Sequence, residues 1–433
     1  MANAADKARF FLEQSVPELR ELEVKKIFTR DEITSIAKKR SGFEHTINSR
    51  GSHASDYARY AEYEMNLEAL RKHRVKRLGV KVPGFTGQKH IFFILQRGTR
   101  KFPTDIGLWM QYIEFARKEK AFKKLNDILA SLLRLHPAKP ELWIYAARYS
   151  VDTQADYTNA RSYMQRGLRF CKHSKIMWIQ WARLEMNYIA KIATRRKILG
   201  LDADPATKSQ AQEDTEDMIV LPSLTAEDIN PSLATTDAVD QTALQNLASS
   251  PALSGAIPLA VFDTAMNEFR NNASFAEEFF TMFNDFDAST VACVRKILSH
   301  VLDYLRQTSP KSAATAMCEF RAPLIGVPET SPDFASALGH ALDHLNTSLG
   351  AMPESKQPLL RCAIQWILPL VRSGEITDSG IQKVLSSSLR KFCRIMGEEN
   401  PNALVELAAV LRKEGRADDA AFLTNLITQM QKV

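Results

Sequence analysis

A chain of 433 residues with 45% apolar and 25% charged residues has the balance of a globular protein, long enough for two or three domains or one extended repeat array. No apolar run approaches the roughly 18 to 20 residues that cross a bilayer, and the opening Met1–Asp6 lacks a basic-then-apolar leader, so no secretory signal is expected. The net charge of +7 conceals an asymmetry: residues 1–200 carry 39 Lys and Arg against 20 Asp and Glu, the rest 18 against 30. A basic half suits RNA or an acidic partner.

Two helices are predicted at the start. The first runs from about Lys7 to Lys26, with Pro17 expected to kink or restart it. The second opens at Phe28-Thr29-Arg30-Asp31-Glu32-Ile33, where Thr29 and Glu32 have capping-box spacing and Phe28 and Ile33 fit a hydrophobic staple. Residues 42–55 read as a polar connection. Tyr57, Tyr60 and Tyr63 then recur every third residue, so they share one flank of a helix. The helix ends in Arg71-Lys72-His73-Arg74-Val75-Lys76-Arg77, before a Gly/Pro break around Val82-Pro83-Gly84. That run is open to three readings: a nuclear-import signal, an RNA contact through Arg71, Lys72, Arg74, Lys76 and Arg77, or a solvated helix end.

A repeat follows. Trp109, Trp143 and Trp178 are 34 and 35 residues apart, and each lies six residues after the end of a basic-aromatic segment, Arg97–Pro103, Ser131–Pro137 or Arg166–Lys172. The aromatic flank recurs as Trp109, Tyr112 and Phe115, as Trp143, Ala146 and Tyr149, and as Trp178, Trp181 and Leu184. Intervening helices offer Ile91 and Ile94, Leu125 and Ile128, and Ala160 and Tyr163 to receive it. Two helical patterns per period of about 34 predict an all-α, helix-turn-helix solenoid of HAT or TPR type. The aromatics are expected in its core.

Residues 201–258 break the pattern. Ten carboxylates face Lys208 alone as a cation, so an acidic, disordered linker is expected, with Met218–Pro222 as an apolar island. Helical pattern resumes at Leu259. An aromatic flank is predicted at Phe280, Phe283 and Phe286, then helices near 290–308, 311–320, 331–348, 356–372, 377–396, 400–413 and 417–432. The expected organisation is an N-terminal helical region at 1–88, repeats at 89–200, the linker at 201–258 and degenerate repeats at 259–433.

Signatures of catalysis are missing from the sequence. There is no Walker A loop, Gly-x-Gly-x-x-Gly, His-Glu-x-x-His or Gly-x-Ser-x-Gly. His340 and His344 have two-ligand spacing, but only Asp343 is near in sequence, so surface histidines are expected and not a metal site. Five scattered cysteines point to a reducing compartment with neither disulfides nor zinc. No cofactor and no enzymatic activity are expected.

The helix carrying Asn159–Leu168, after an aromatic-rich helix, resembles the half-a-tetratricopeptide (HAT) repeat. Phe11–Glu23, Ile27–Ile33, Lys38–His45 and Asp56–Leu67, running into Arg71–Arg77, resemble the start of the U3 small nucleolar RNA-associated protein 6 family. The resemblance covers residues 9–200. It implies a nucleolar subunit of the UTP-B subcomplex of the small-subunit processome, the 90S pre-ribosome. Its neighbours would be other UTP-B subunits, WD40-propeller proteins among them, with U3 small nucleolar RNA and pre-rRNA in the assembly. Its role would support pre-rRNA processing toward 18S rRNA. Two alternatives stand beside it: a HAT scaffold of splicing or mRNA 3′-end processing, and direct RNA binding by the basic half.

Overall fold

The computed structural model describes residues 4–80, 86–198, 253–288, 291–328, 331–353, 356–373, 378–400 and 402–431. They form 18 α-helices and one short 3-10 turn, with no strand among the described residues. The chain divides into two compact units, Met1–Leu142 and Trp143–Val433, a division that falls within the 89–200 repeat stretch.

The first unit holds α1 (Ala4–Val24), α2 (Arg30–Asn48), α3 (Ala54–Leu78), α4 (Thr86–Lys101), α5 (Ile106–Lys118), α6 (Phe122–Leu135) and the start of α7 (Pro140–Gln154). Helix α1 runs through Pro17 as one helix, so the proline does not restart it. Leu19 and Leu22, beyond the proline, pack with Ile27, Phe28 and Ile36, and this burial outweighs one lost backbone bond. The Thr29 box forms: the Glu32 amide donates to Thr29 Oγ1 at 3.3 Å, and the Thr29 amide to Glu32 Oε2 at 2.9 Å. Phe28 and Ile33 meet in the same apolar cluster.

The polar connection expected from residue 42 is instead the last two turns of α2. Those turns are anchored, because Glu44 and Ile47 are buried and Phe43 stacks on Tyr60 at 5.0 Å. A second box starts α3, where the His53 amide donates to Asp56 Oδ2 at 2.8 Å. Gly79, at φ 66°, ends it in the left-handed conformation that glycine adopts at little cost. The predicted break at 82–84 lies outside the described residues.

The repeat joint has a hydrogen-bond origin. In the turn before α5, the Phe102 amide donates to Gly98 O and that of Asp105 to Phe102 O. The same pair of bonds recurs before α7, from His136 to Leu132 and from Lys139 to His136. It recurs again in the second unit, from Cys171 to Gly167 and from Ser174 to Cys171. Trp109 Nε1 donates to Pro103 O at 3.0 Å, and Trp178 Nε1 to Lys172 O at 2.9 Å. The six-residue spacing therefore places an indole N–H on a turn carbonyl that has no helical partner.

The second unit continues with α8 (Tyr157–Phe170), α9 (Lys175–Ile198), α10 (Ala256–Glu268), α11 (Ala273–Asn284), α12 (Cys293–Thr308), α13 (Ala313–Arg321), α14 (Asp333–Ala351), α15 (Lys356–Ser373), α16 (Ser379–Glu399), α17 (Ala403–Lys413) and α18 (Ala417–Gln431). Most of the expected 201–258 linker lies outside the described residues, but α10 begins at Ala256 and Pro258 is already buried. Helix α9 packs directly on α10 and α11, fastened by Lys172–Glu268 at 2.7 Å and Arg183–Asp285 at 2.9 Å. Every second helix then touches the next, α9 to α11, α11 to α13 and α13 to α15, as in a stack of helical pairs.

Within α11 the buried aromatics are Phe275, Phe279, Phe280 and Phe283. Phe286, expected on that flank, lies beyond the helix end and is half-buried. The stack closes on a core through α14–α18 that includes Phe334, Leu345, Ile364, Phe392 and Leu423. Four cysteines are buried and Cys362 is half-buried, all as free thiols. Burial pushes the Cys393 thiol up to about 12, which keeps it protonated and inert.

Candidate nucleic-acid interface

The aromatic positions face inward. Tyr57, Tyr60, Trp109, Tyr112, Phe115, Trp143 and Trp178 are buried, while Tyr63 and Trp181 are half-buried. Phe92 joins Phe115 edge-on at 4.8 Å, and Trp178 tilts against Trp181 at 6.0 Å. The buried rings present no face on which a base could stack.

The basic run at the end of α3 splits in two. Arg71 is buried, and its guanidinium forms a two-pronged pair with Glu68, both bonds 2.7 Å. Arg74 makes the same fork onto Glu32 at 2.7 Å, reaches Ile27 O at 3.1 Å and lies 4.7 Å over the Phe28 ring. These two residues cannot serve as the RNA or import contacts expected of them. Their donors are committed to carboxylates that the fold brings alongside, and Arg74 fastens α3 to the start of α2. The Arg74 fork holds the Glu32 carboxyl down at about 2.

Lys72, Lys76 and Arg77 remain exposed. Lys72 Nζ reaches Glu119 at 3.0 Å, across 47 residues of sequence, and Gln88 from α4 donates to the same carboxylate. Glu119 sits in the turn between α5 and α6, within Arg117-Lys118-Glu119-Lys120-Ala121-Phe122-Lys123-Lys124. All five cations of that run are exposed. Lys76 is one turn beyond Lys72 on the same flank of α3. The result is a cationic patch of Lys72, Lys76, Arg117, Lys118, Lys120, Lys123 and Lys124 beside Glu119.

Lys124 lies 4.3 Å over the Phe92 ring, and desolvation there lowers its pKa. Phe122, 43% exposed, stands among the cations as an accessible ring. Clustered lysines with one open aromatic suit a phosphate backbone with little sequence preference. The 117–124 run was missed in the sequence, although five cations in eight residues were its signal.

Beneath this surface lies a buried ion network. Arg40 forks onto Glu64 with both bonds at 2.8 Å and comes within 3.9 Å of Glu18. Arg97 pairs with Glu44 at 3.0 Å and covers Phe11 at 4.0 Å. Arg40, Glu44 and Glu64 are all buried. Burial raises the Glu18 carboxyl above its ordinary value, against the pull of Arg40. His90 shares a 3.1 Å hydrogen bond with Tyr60 Oη. Desolvation, then Arg40 and Arg97, brings its imidazole down to about 3. The network joins α1 through α4.

Elsewhere, His340 and His344 are both exposed, and no three His, Cys, Asp or Glu residues gather as a metal site among the described residues.

A family model described as U3 small nucleolar RNA-associated protein 6 matches residues 12–95, the segment that holds Glu18, Arg40, Glu44 and Glu64. U3 small nucleolar RNA-associated protein 6 of Schizosaccharomyces pombe is 36% identical over 219 residues, 50% of this chain and 45% of that protein. The homolog of that protein in Homo sapiens is 29% identical over 190 residues, 43% of this chain and 32% of its own length. The homolog in Dictyostelium discoideum is 27% identical over 187 residues. The chain thus spans less than half the length of these relatives, and over that span it is similar to U3 small nucleolar RNA-associated protein 6.

Proposed function

We propose that this chain belongs to the U3 small nucleolar RNA-associated protein 6 family and acts in ribosome biogenesis, in pre-rRNA processing. The observation that carries the reading is the family match at residues 12–95, over the helices that the buried ions join. More finely, the chain is a non-catalytic HAT-repeat scaffold of the UTP-B subcomplex in the nucleolus. It holds WD40-propeller subunits within the small-subunit processome, with U3 small nucleolar RNA and pre-rRNA nearby. The recurring joint at Phe102, His136 and Cys171 supports the repeat, and repeated helical pairs offer long binding surfaces.

The test is affinity purification of the tagged chain from its own cells, with and without RNase, followed by mass spectrometry and RNA blotting. Propeller proteins retained in stoichiometric amounts after RNase, with U3 RNA only in the untreated sample, are the expected result. Recovery of splicing or mRNA 3′-end factors would keep the HAT scaffold and overturn the family reading.

The patch around Glu119 favours a second reading, direct RNA contact by the basic half. It predicts a steep salt dependence of RNA binding by the purified chain. Replacing Lys120, Lys123 and Lys124 by Ala should reduce the log–log slope by about one for each phosphate that is no longer neutralised. An unchanged slope would remove the reading.

A further inference from the structure

A groove in the second unit sets cationic walls over an apolar floor. Along α9, Arg183, Asn187, Lys191 and Arg195 line one wall, each four residues from the next. Arg148 and Asp152 stand on α7 opposite, and Tyr157 at the start of α8 lies against both stretches of the groove. Its floor is apolar, formed by Ala147, Met164 and Leu184. Four cations thus face one carboxylate.

Two of the deepest polar atoms, Tyr157 Oη and Arg183 Nε, are buried with no hydrogen-bond partner among the described residues. Another nitrogen of Arg183 donates to Asp285 at 2.9 Å, which leaves Nε unanswered. The lining cations outnumber the one lining carboxylate, so the charge complement of this groove is an anionic ligand rich in acceptors.

The spacing selects the ligand further. Four residues along a helix advance about 6 Å, and two residues of an extended peptide advance about 6.6 Å. Carboxylates on alternate residues of an extended strand therefore keep step with Asn187, Lys191 and Arg195. We infer that the groove binds an extended acidic segment of a partner protein, its carboxylates on Asn187, Lys191 and Arg195 with Arg148 opposite, and an apolar side chain on the floor. The inference rests on the scaffold reading only in taking the partner to be a protein, and it adds the partner's chemistry. The apolar floor favours peptide over nucleic acid, and the Tyr157 ring on the wall is already engaged, with Lys191 5.3 Å over it and Tyr188 at 4.9 Å.

The test is fluorescence titration of the purified full chain with a labelled peptide alternating Glu and Val, against the same peptide with Gln for Glu. The Glu peptide should bind and the Gln peptide should not. Arg148→Gln and Asn187→Ala, both at exposed positions, should each weaken binding about five- to ten-fold. Asp152→Asn should tighten it about three-fold, a gain that misfolding cannot imitate. Equal binding of the Gln peptide would overturn the inference. So would displacement by a uridine oligonucleotide whose own binding the same variants weaken. Binding seen only after deletion of residues 201–250 would also overturn it, because this chain's own acidic segment would then be the occupant. The titration uses no pre-ribosomal component, so its failure is separable from failure of the purification experiment.

Discussion

The pair of Arg40 and Glu64 offers the sharpest test of how the first unit is held together. Both side chains are buried, and two 2.8 Å bonds join them. Replacing Glu64 by Gln removes the charge and leaves Arg40 in the interior, with Glu18 3.9 Å away as its nearest remaining carboxylate. Glu18 is itself reluctant to ionise there. Removing one member of a buried pair costs about 3–5 kcal/mol, most of it the desolvation of the ion left behind. Replacing both, as Arg40→Met with Glu64→Leu, removes that uncompensated ion and should return stability to within about 1–2 kcal/mol of the parent chain.

The cycle of Arg40→Met, Glu64→Leu and the double variant therefore predicts a coupling of at least about 2 kcal/mol between the two positions. Because the chain has two compact units, one global melt would blend their transitions. Hydrogen exchange of peptides from α2 and α3 in increasing urea reads the relevant unit by itself. A loss below about 1 kcal/mol for Glu64→Gln, or a double variant as unstable as the sum of the singles, would show that the pair does not hold these helices together.

Three further outcomes follow from the geometry. Trp178→Ala should cost about 3–5 kcal/mol in the second unit, and Trp178→Phe about 1 kcal/mol, since Phe fills most of the space but leaves the Lys172 carbonyl without its donor; a Phe variant as stable as the parent chain in urea denaturation would show that the indole N–H contributes nothing. Lys120 ends α5 at φ 54°, and Lys120→Gly should stabilise the first unit by about 1 kcal/mol; a lower urea midpoint for exchange there would contradict the cap. His90 has a folded pKa of about 3 against an ordinary 6.5, so its contribution is complete above pH 6.5 and lost as pH falls toward 3. The unfolded state binds the proton first. The parent chain should therefore lose up to about 1.4 kcal/mol per pH unit more than His90→Gln below pH 6.5, and parallel curves would refute the assignment.

Local chemistry was legible in the sequence where donor and acceptor lie within a few residues of one another. The Thr29–Glu32 box spans three residues, and the Trp109 and Trp178 joints span six, so spacing alone carried them. The helical periodicity of the repeats was readable for the same reason: it depends on which face of one helix is apolar. The all-helical architecture followed, including the helices from α12 to α18.

The fate of each charge was not legible. Arg71 and Lys72 are neighbours in one basic run, yet one is buried on Glu68 and the other is exposed beside Glu119, 47 residues away. Residues 42–48 read as polar until Tyr60 and Arg97 supply partners for Phe43 and Glu44. The donors of the α7–α9 groove likewise come from three helices. The sequence by itself determined the helices and their joints, because those bonds close within a few residues. Only the tertiary structure decided which cations are internal ties and which are available to a partner, because an ion's worth depends on its desolvation and on what stands within about 4 Å of it, and distant segments set both.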